Sequence, residues 1–192
     1  MGLFSFIASV GSAIGSALSS AATAVGNAIS TVGKAIVETG KEFLKTTIET
    51  LKLVVDVLEY VAKRLGIIED ETSEDLGDRA LRSDRKREDF DSANEYIDYL
   101  KENVEPTPLK ELEKLSPEER LKRVAIGNAL LAKAIEEKMS FEIPVDFWKE
   151  AVERGLSAEE IDNLLKKFKD AGVAPIDFVK YLKRELDEED RK

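Results

Sequence analysis

Apolar residues near the start of the chain recur at Leu3, Ile7, Val10, Ile14, Leu18, Ala21, Val25, Ile29, Val32 and Ile36, in steps of 4, 3, 4, 4, 3, 4, 4, 3 and 4. Leu3, Ile14, Val25 and Ile36 share one phase of this 11-residue repeat, and Ile7, Leu18 and Ile29 share another. Eleven residues over three turns is about 3.67 per turn, close to a straight α-helix, so the apolar stripe holds one face without a left-handed supercoil. Gly, Ser, Ala, Thr and Asn make up the other face. Gly11 and Gly15 form a GxxxG step there, which lets a second helix approach closely. The same glycines cost roughly 1 kcal/mol each against Ala in helix propensity, so this helix needs something to bury it.

From Leu44 the rhythm changes. Leu44, Ile48, Leu51, Val55, Leu58, Ala62 and Leu65 alternate steps of 4 and 3, with charges between them. This heptad pattern predicts packing or self-association through the stretch. No Pro precedes Pro106. The pattern therefore predicts helix from about residue 3 to 65, bent near Gly33 or Gly40 and capped by Gly66. Unbroken, it would reach about 95 Å at 1.5 Å per residue.

The rest of the chain is better punctuated. Residues 67–78 read as an acidic linker, followed by a basic cluster (Arg79, Arg82, Arg85, Lys86, Arg87) on a solvated helix that Pro106 and Pro108 stop. Ser116-Pro117-Glu118-Glu119 and Ser157-Ala158-Glu159-Glu160 are capping boxes, and Gly155 and Gly172 stand where helices end. Phe147, Trp148, Phe168, Phe178, Tyr181 and Leu182 are the expected core of a C-terminal bundle. The expected fold is all-α, a long N-terminal amphipathic helix plus a compact C-terminal helical bundle. Its expected parts are residues 1–66, an acidic linker with one helix at 67–108, and a bundle with a charged tail at 109–192.

Charge sharpens the picture of the first part. The 192 residues carry a formal net charge of −10, yet none of residues 1–33 is charged, Lys34 being the first. Residues 67–105 alone carry a net −8. The uncharged segment is therefore built for a different solvent or partner from the rest. A lipid surface suits a long uncharged amphipathic helix. A dry interface between subunits suits it as well. A cleaved signal peptide would use Ala22-x-Ala24, but no positive stretch precedes it.

The 11-residue rhythm resembles the lipid-associating repeats of synucleins and perilipins, which carry Lys at the lipid boundary where residues 3–33 carry none. The Met-Gly start and the Ala/Ser/Gly-rich opening resemble polyomavirus minor capsid proteins, which are myristoylated and perturb membranes. The myristoylation pattern wants Ser or Thr at position 6, where this chain has Phe6.

Chemistry is sparse. With no Cys and no His there is no thiol nucleophile, no zinc thiolate site and no Ser-His-Asp triad. No phosphate-binding glycine loop, nucleophile elbow or EF-hand loop occurs. The acidic balance argues against nucleic acid. The expectation is a non-enzymatic, homo-oligomeric protein without metal, cofactor or small-molecule substrate. Leu3, Ile7, Val10, Ile14, Leu18, Val25, Ile29, Val32 and Ile36 would form its membrane or assembly face, and Gly11 and Gly15 its helix–helix contact. Such a protein would be membrane-associated or held in a viral or multiprotein particle, as a membrane-penetration component or pore-forming effector. The alternative is a structural subunit whose N-terminal helix is buried among other subunits.

Overall fold

The computed structural model describes residues 14–183, and within them the chain is all-helical. The helices are α1 (Ile14–Gly26), α2 (Ile29–Val32), α3 (Lys34–Phe43), α4 (Ile48–Arg64), α5 (Ser73–Arg82) and α6 (Ala93–Asn103). There follow α7 (Leu109–Leu112), α8 (Pro117–Met139), α9 (Val145–Glu153), α10 (Ala158–Ala171) and α11 (Pro175–Lys183).

The single helix expected over 3–65 is broken three times within the described residues. A turn follows Gly26. Gly33 stands at φ 102°, in a region that L side chains rarely adopt, and separates α2 from α3. The third break is at Thr47, whose extended backbone (ψ 159°) and hydroxyl, accepting from Thr50 N–H at 3.2 Å, start α4 afresh. The apolar rhythm ran through these positions, but Thr competes for the backbone and favours a cap. Gly40 does not bend its helix. Gly66 does close α4: its N–H donates to Lys63 O at 3.1 Å, and Ile67 N–H to Ala62 O at 2.9 Å. That is the paired-bond glycine cap expected there.

At the centre lies α8. Every residue from Val124 to Ala132 is buried, so the helix is enclosed on all sides. A helix apolar all round belongs in a core. Around it pack α1, α3, α4, α5 and α6, and one continuous core cluster joins residues from Ala21 to Val179. The heptad face of α4 turns inward: Leu51, Val55, Leu58 and Ala62 are inaccessible, and the helix packs on α8, α9 and α10.

The α5–α8 pair is the most extensive interface among the described helices. Two glycines set its distance. A Cβ on Gly77 would overlap the backbone carbonyl of Arg123, and one on Gly127 would overlap that of Ser73. Beside this crossing Glu74 accepts from Arg120 Nε and Nη2, both at 2.6 Å, with both side chains buried. Asp78 takes Arg123 at 3.0 Å, Arg82 at 2.9 Å and the Thr107 hydroxyl at 2.6 Å. Burial pushes the Asp78 carboxyl up, but these donors outweigh it and hold it below the usual range.

The basic cluster is a solvated face only in part, with Arg82, Arg85 and Lys86 exposed and Arg79 buried. Arg79 Nη1 donates to the carbonyls of Leu100, Lys101 and Val104 at the end of α6. Arg85 lies 4.1 Å from the Phe90 ring centroid, and Arg87 pairs with Glu137 at 3.2 Å. From α8, Glu137 caps α6, accepting from the N–H of Ala93 at 2.7 Å and of Asn94 at 3.1 Å.

In the C-terminal part, Ser157 and Glu160 form the expected reciprocal capping box. Ser116 caps α8, accepting from Glu119 N–H, but the Glu119 carboxylate turns to Arg123 at 2.8 Å. Gly155 and Gly172 close their helices at φ 79° and 67°. Phe147 and Trp148 are inaccessible, and Phe168 and Phe178 stack edgewise on Phe147 at 6.2 and 6.1 Å. The side chains of Tyr181 and Leu182 lie outside the described residues.

Two predictions follow from this packing. Gly127→Ala is expected to lower stability by about 3 kcal/mol because two backbones must separate. Gly66→Ala, whose added methyl meets nothing within 4 Å, should cost about 1–2 kcal/mol from its φ of +67° alone. Urea unfolding of both variants checks the order. Glu137 offers a pH test. Burial raises its pKa, but the Ala93 and Asn94 donors and Arg87 hold it below 4.5. A carboxylate depressed in the fold adds stability above its unfolded pKa and loses it as pH falls through the folded value. Glu137→Gln should therefore cost about 1–2 kcal/mol at pH 7 and clearly less at pH 3, in paired urea melts.

Candidate functional site

The N-terminal stripe is the candidate face, and its described part packs inward. Val25 is inaccessible and sits beside Gly40 of α3. A Cβ on Gly40 would stand 3.2 Å from the Ala125 carbonyl oxygen and 3.5 Å from Val25 Cγ1. A missing side chain thus lets α1, α3 and α8 meet at one point. Val32 and Ile36 are buried in the same cluster, and Leu18 is half-buried at its edge. Burying side chains of this size is worth about 1.5–3 kcal/mol each. In this structure these residues belong to the protein's own core.

Ile29 departs from the stripe and is 45% exposed. After Gly26 the chain tightens, with Ala28 N–H donating to Val25 O at 3.0 Å, three residues back. The register advances and Ala28 takes the inward place. Ile14 and Gly15 open α1, but their surroundings, like Leu3, Ile7, Val10 and Gly11 altogether, lie outside the described residues.

The outward surface of α1, where its exposure is described, is made of Ser19, Ser20 and Thr23, with Asn27 just after it, all exposed and none charged. Exposed helix faces of water-surrounded proteins ordinarily carry charge. Beside it runs a groove of about 550 Å³ floored by Ala22, Thr23 and Gly26 and edged by Lys41 of α3 and by Lys45 just beyond it. Gly26 lies under the end of the Lys41 side chain, where a Cβ would come within 3.1 Å of Cε. The join to the charged body is latched by Glu88, which accepts from the Lys34 N–H at 2.6 Å and fills the space over Gly33.

Sequence reasoning did not find a larger cleft of about 790 Å³ between α3, the end of α8 and the starts of α9 and α11. Glu38, Glu42, Glu136 and Glu142 rim it, and Ile143, Val145 and Ile176 line its apolar part. These residues come from four separate stretches of chain, so no local motif announces them. Among the described residues no group of three or more acidic side chains is placed to hold a metal ion. No described helix is long and apolar enough to cross a membrane.

The inward packing predicts unequal effects along the stripe. Val32→Asp is expected to cost about 3 kcal/mol or more in chemical unfolding, and Ile29→Asp within about 0.5 kcal/mol of nothing. Equal costs would contradict the inward placement of Val32. Comparison with known proteins finds no matching family model, no similar curated protein and no similar solved structure.

Proposed function

We propose that the protein is a non-enzymatic membrane-interacting component whose uncharged N-terminal segment lies on or enters lipid and associates with further copies of itself. The charged helices from α3 onward are its water-facing body. One observation carries this reading: the exposed surface of α1 has no charged side chain, and it continues in sequence into residues 1–13, which have none either. Lys41 beside that surface supports it, since a long ammonium side chain at the edge of an uncharged face reaches lipid phosphate.

Because Val25, Val32 and Ile36 serve the core, lipid contact in this reading belongs to Leu3, Ile7 and Val10 with the outward face of α1. Deep entry of the whole stripe would require α1 and α2 to leave α8. The natural point of release is Gly33, where the Glu88 latch is a single exposed hydrogen-bonded carboxylate. A role in a virus or phage particle, or as a pore-forming effector, fits such a segment on a soluble body.

A second reading rests on the groove itself. Ala22 and Gly26 make a short small-xxx-small row, the spacing that lets two helices touch along their backbones. In this reading the chain is a structural subunit, and the row is buried in a homo- or hetero-oligomer.

Liposome co-flotation separates the two. The full chain is mixed with neutral and with anionic vesicles, next to an Ile7→Asp/Val10→Asp variant that leaves the core residues intact. The expected result is that the full chain floats with lipid and the variant stays in the lower fraction. If neither floats while the full chain forms a defined oligomer without lipid, the membrane reading is wrong and the subunit reading stands.

A further inference from the structure

We propose that the cleft between α3, the end of α8 and the starts of α9 and α11 is a docking groove for a basic amphipathic helix of a partner protein. It is independent of the lipid reading, which concerns the opposite character of surface.

The groove pairs an apolar lining with an acidic rim. Ile176 is 41% exposed at its mouth, a large apolar side chain left in water beside Val145. Around it stand Glu38, Glu42, Glu136 and Glu142, and among the described residues that line the cleft they face one ammonium, Lys133. Lys133 is already engaged by Glu136 at 2.7 Å. The other oxygen of Glu136 accepts from the Ile143 N–H at 2.9 Å, which fixes the loop forming the far wall. Carboxylates concentrated at low-dielectric walls focus a negative field into the groove.

The lysines that answer Glu38 and Glu42 do not fill it. Lys34 reaches Glu38 at 3.8 Å, with both side chains more than half exposed, and Lys45, in the turn after α3, reaches Glu42 at 2.5 Å. Such exposed pairs are worth little, so an incoming cation displaces them at small cost. An occupant must therefore offer apolar side chains to the lining and Lys or Arg to the rim. A helix with apolar residues at i, i+3, i+4 and i+7 and basic residues flanking them does both. Anionic lipid and nucleic acid are repelled by the same rim.

A second acidic patch provides the control. Asp91, Glu95, Asp98 and Glu102 cluster along α6, but the rings there, Phe90 and Tyr99, already carry the Arg85 guanidinium at 4.1 and 5.5 Å. That patch has charge without an open apolar floor.

The test uses the full chain and a fluorescent model peptide, with leucine at i, i+3, i+4 and i+7 and lysine elsewhere, read by anisotropy at about 0.15 M salt. Saturable binding is expected, weakened about tenfold by Glu38→Gln/Glu42→Gln and several-fold by Ile176→Ser. The α6 variant Glu95→Gln/Asp98→Asn/Glu102→Gln should change it less than about twofold, and thermal melts should show all three variants folded. No saturable binding, an equal loss from the α6 variant, or no loss from the cleft variants would each overturn the proposal.

Discussion

The α5–α8 crossing governs this molecule. Gly77 and Gly127 bring two helix backbones to a separation that no other side chain permits, and the fully buried Glu74–Arg120 pair locks the register beside them. Close approach shields that ion pair from water. A buried pair of this kind is weak evidence of net stability, yet breaking it from one side costs about 3–5 kcal/mol because a charge is stranded. Glycine contact and ion pair are thus one device. The distance makes the charges dry, and the charges forbid a slip of one turn.

With α5 so close, α8 becomes the shared wall for everything else. Its small residues Ala125, Ala129 and Ala132 admit α1 and α3 on other sides, with Gly40 answering Ala125. The uncharged N-terminal stripe consequently finds its apolar partner within its own chain from Leu18 to Ile36. What remains outward on α1 is small, polar and uncharged, the unusual surface on which the functional reading turns.

Electrostatics completes the assembly through caps rather than through surface pairs. Glu137 reaches from α8 to the start of α6, Arg79 reaches from α5 to its end, and Glu59 of α4 accepts from the Ser73 N–H at the start of α5 at 2.7 Å. Each satisfies backbone groups that a helix terminus leaves unpaired. The acidic middle of the chain, which reads as a linker and a solvated helix, is in fact stitched into the fold at the start of α5 and at both ends of α6.

Local chemistry was legible from the residues alone. Hydroxyl caps at Ser116 and Ser157, glycine stops at Gly66, Gly155 and Gly172, the inward heptad face of α4 and the Phe147–Trp148 core all depend on bonds within a few residues or on a periodic face. These interactions are short-range, so sequence spacing fixes them. The bend expected near Gly33 is there, but the break at Thr47, the outward turn of Ile29, the burial of Arg79 and Arg120 and the acidic cleft were not legible. The last three are decided by groups distant in sequence: Leu100 and Val104 for Arg79, Glu74 for Arg120, four separate segments for the cleft. The sequence by itself determined an all-α chain whose first 33 residues shun charge. Only the tertiary structure decided what covers that segment, because periodicity marks the face that leaves water while packing against α8 supplies its partner.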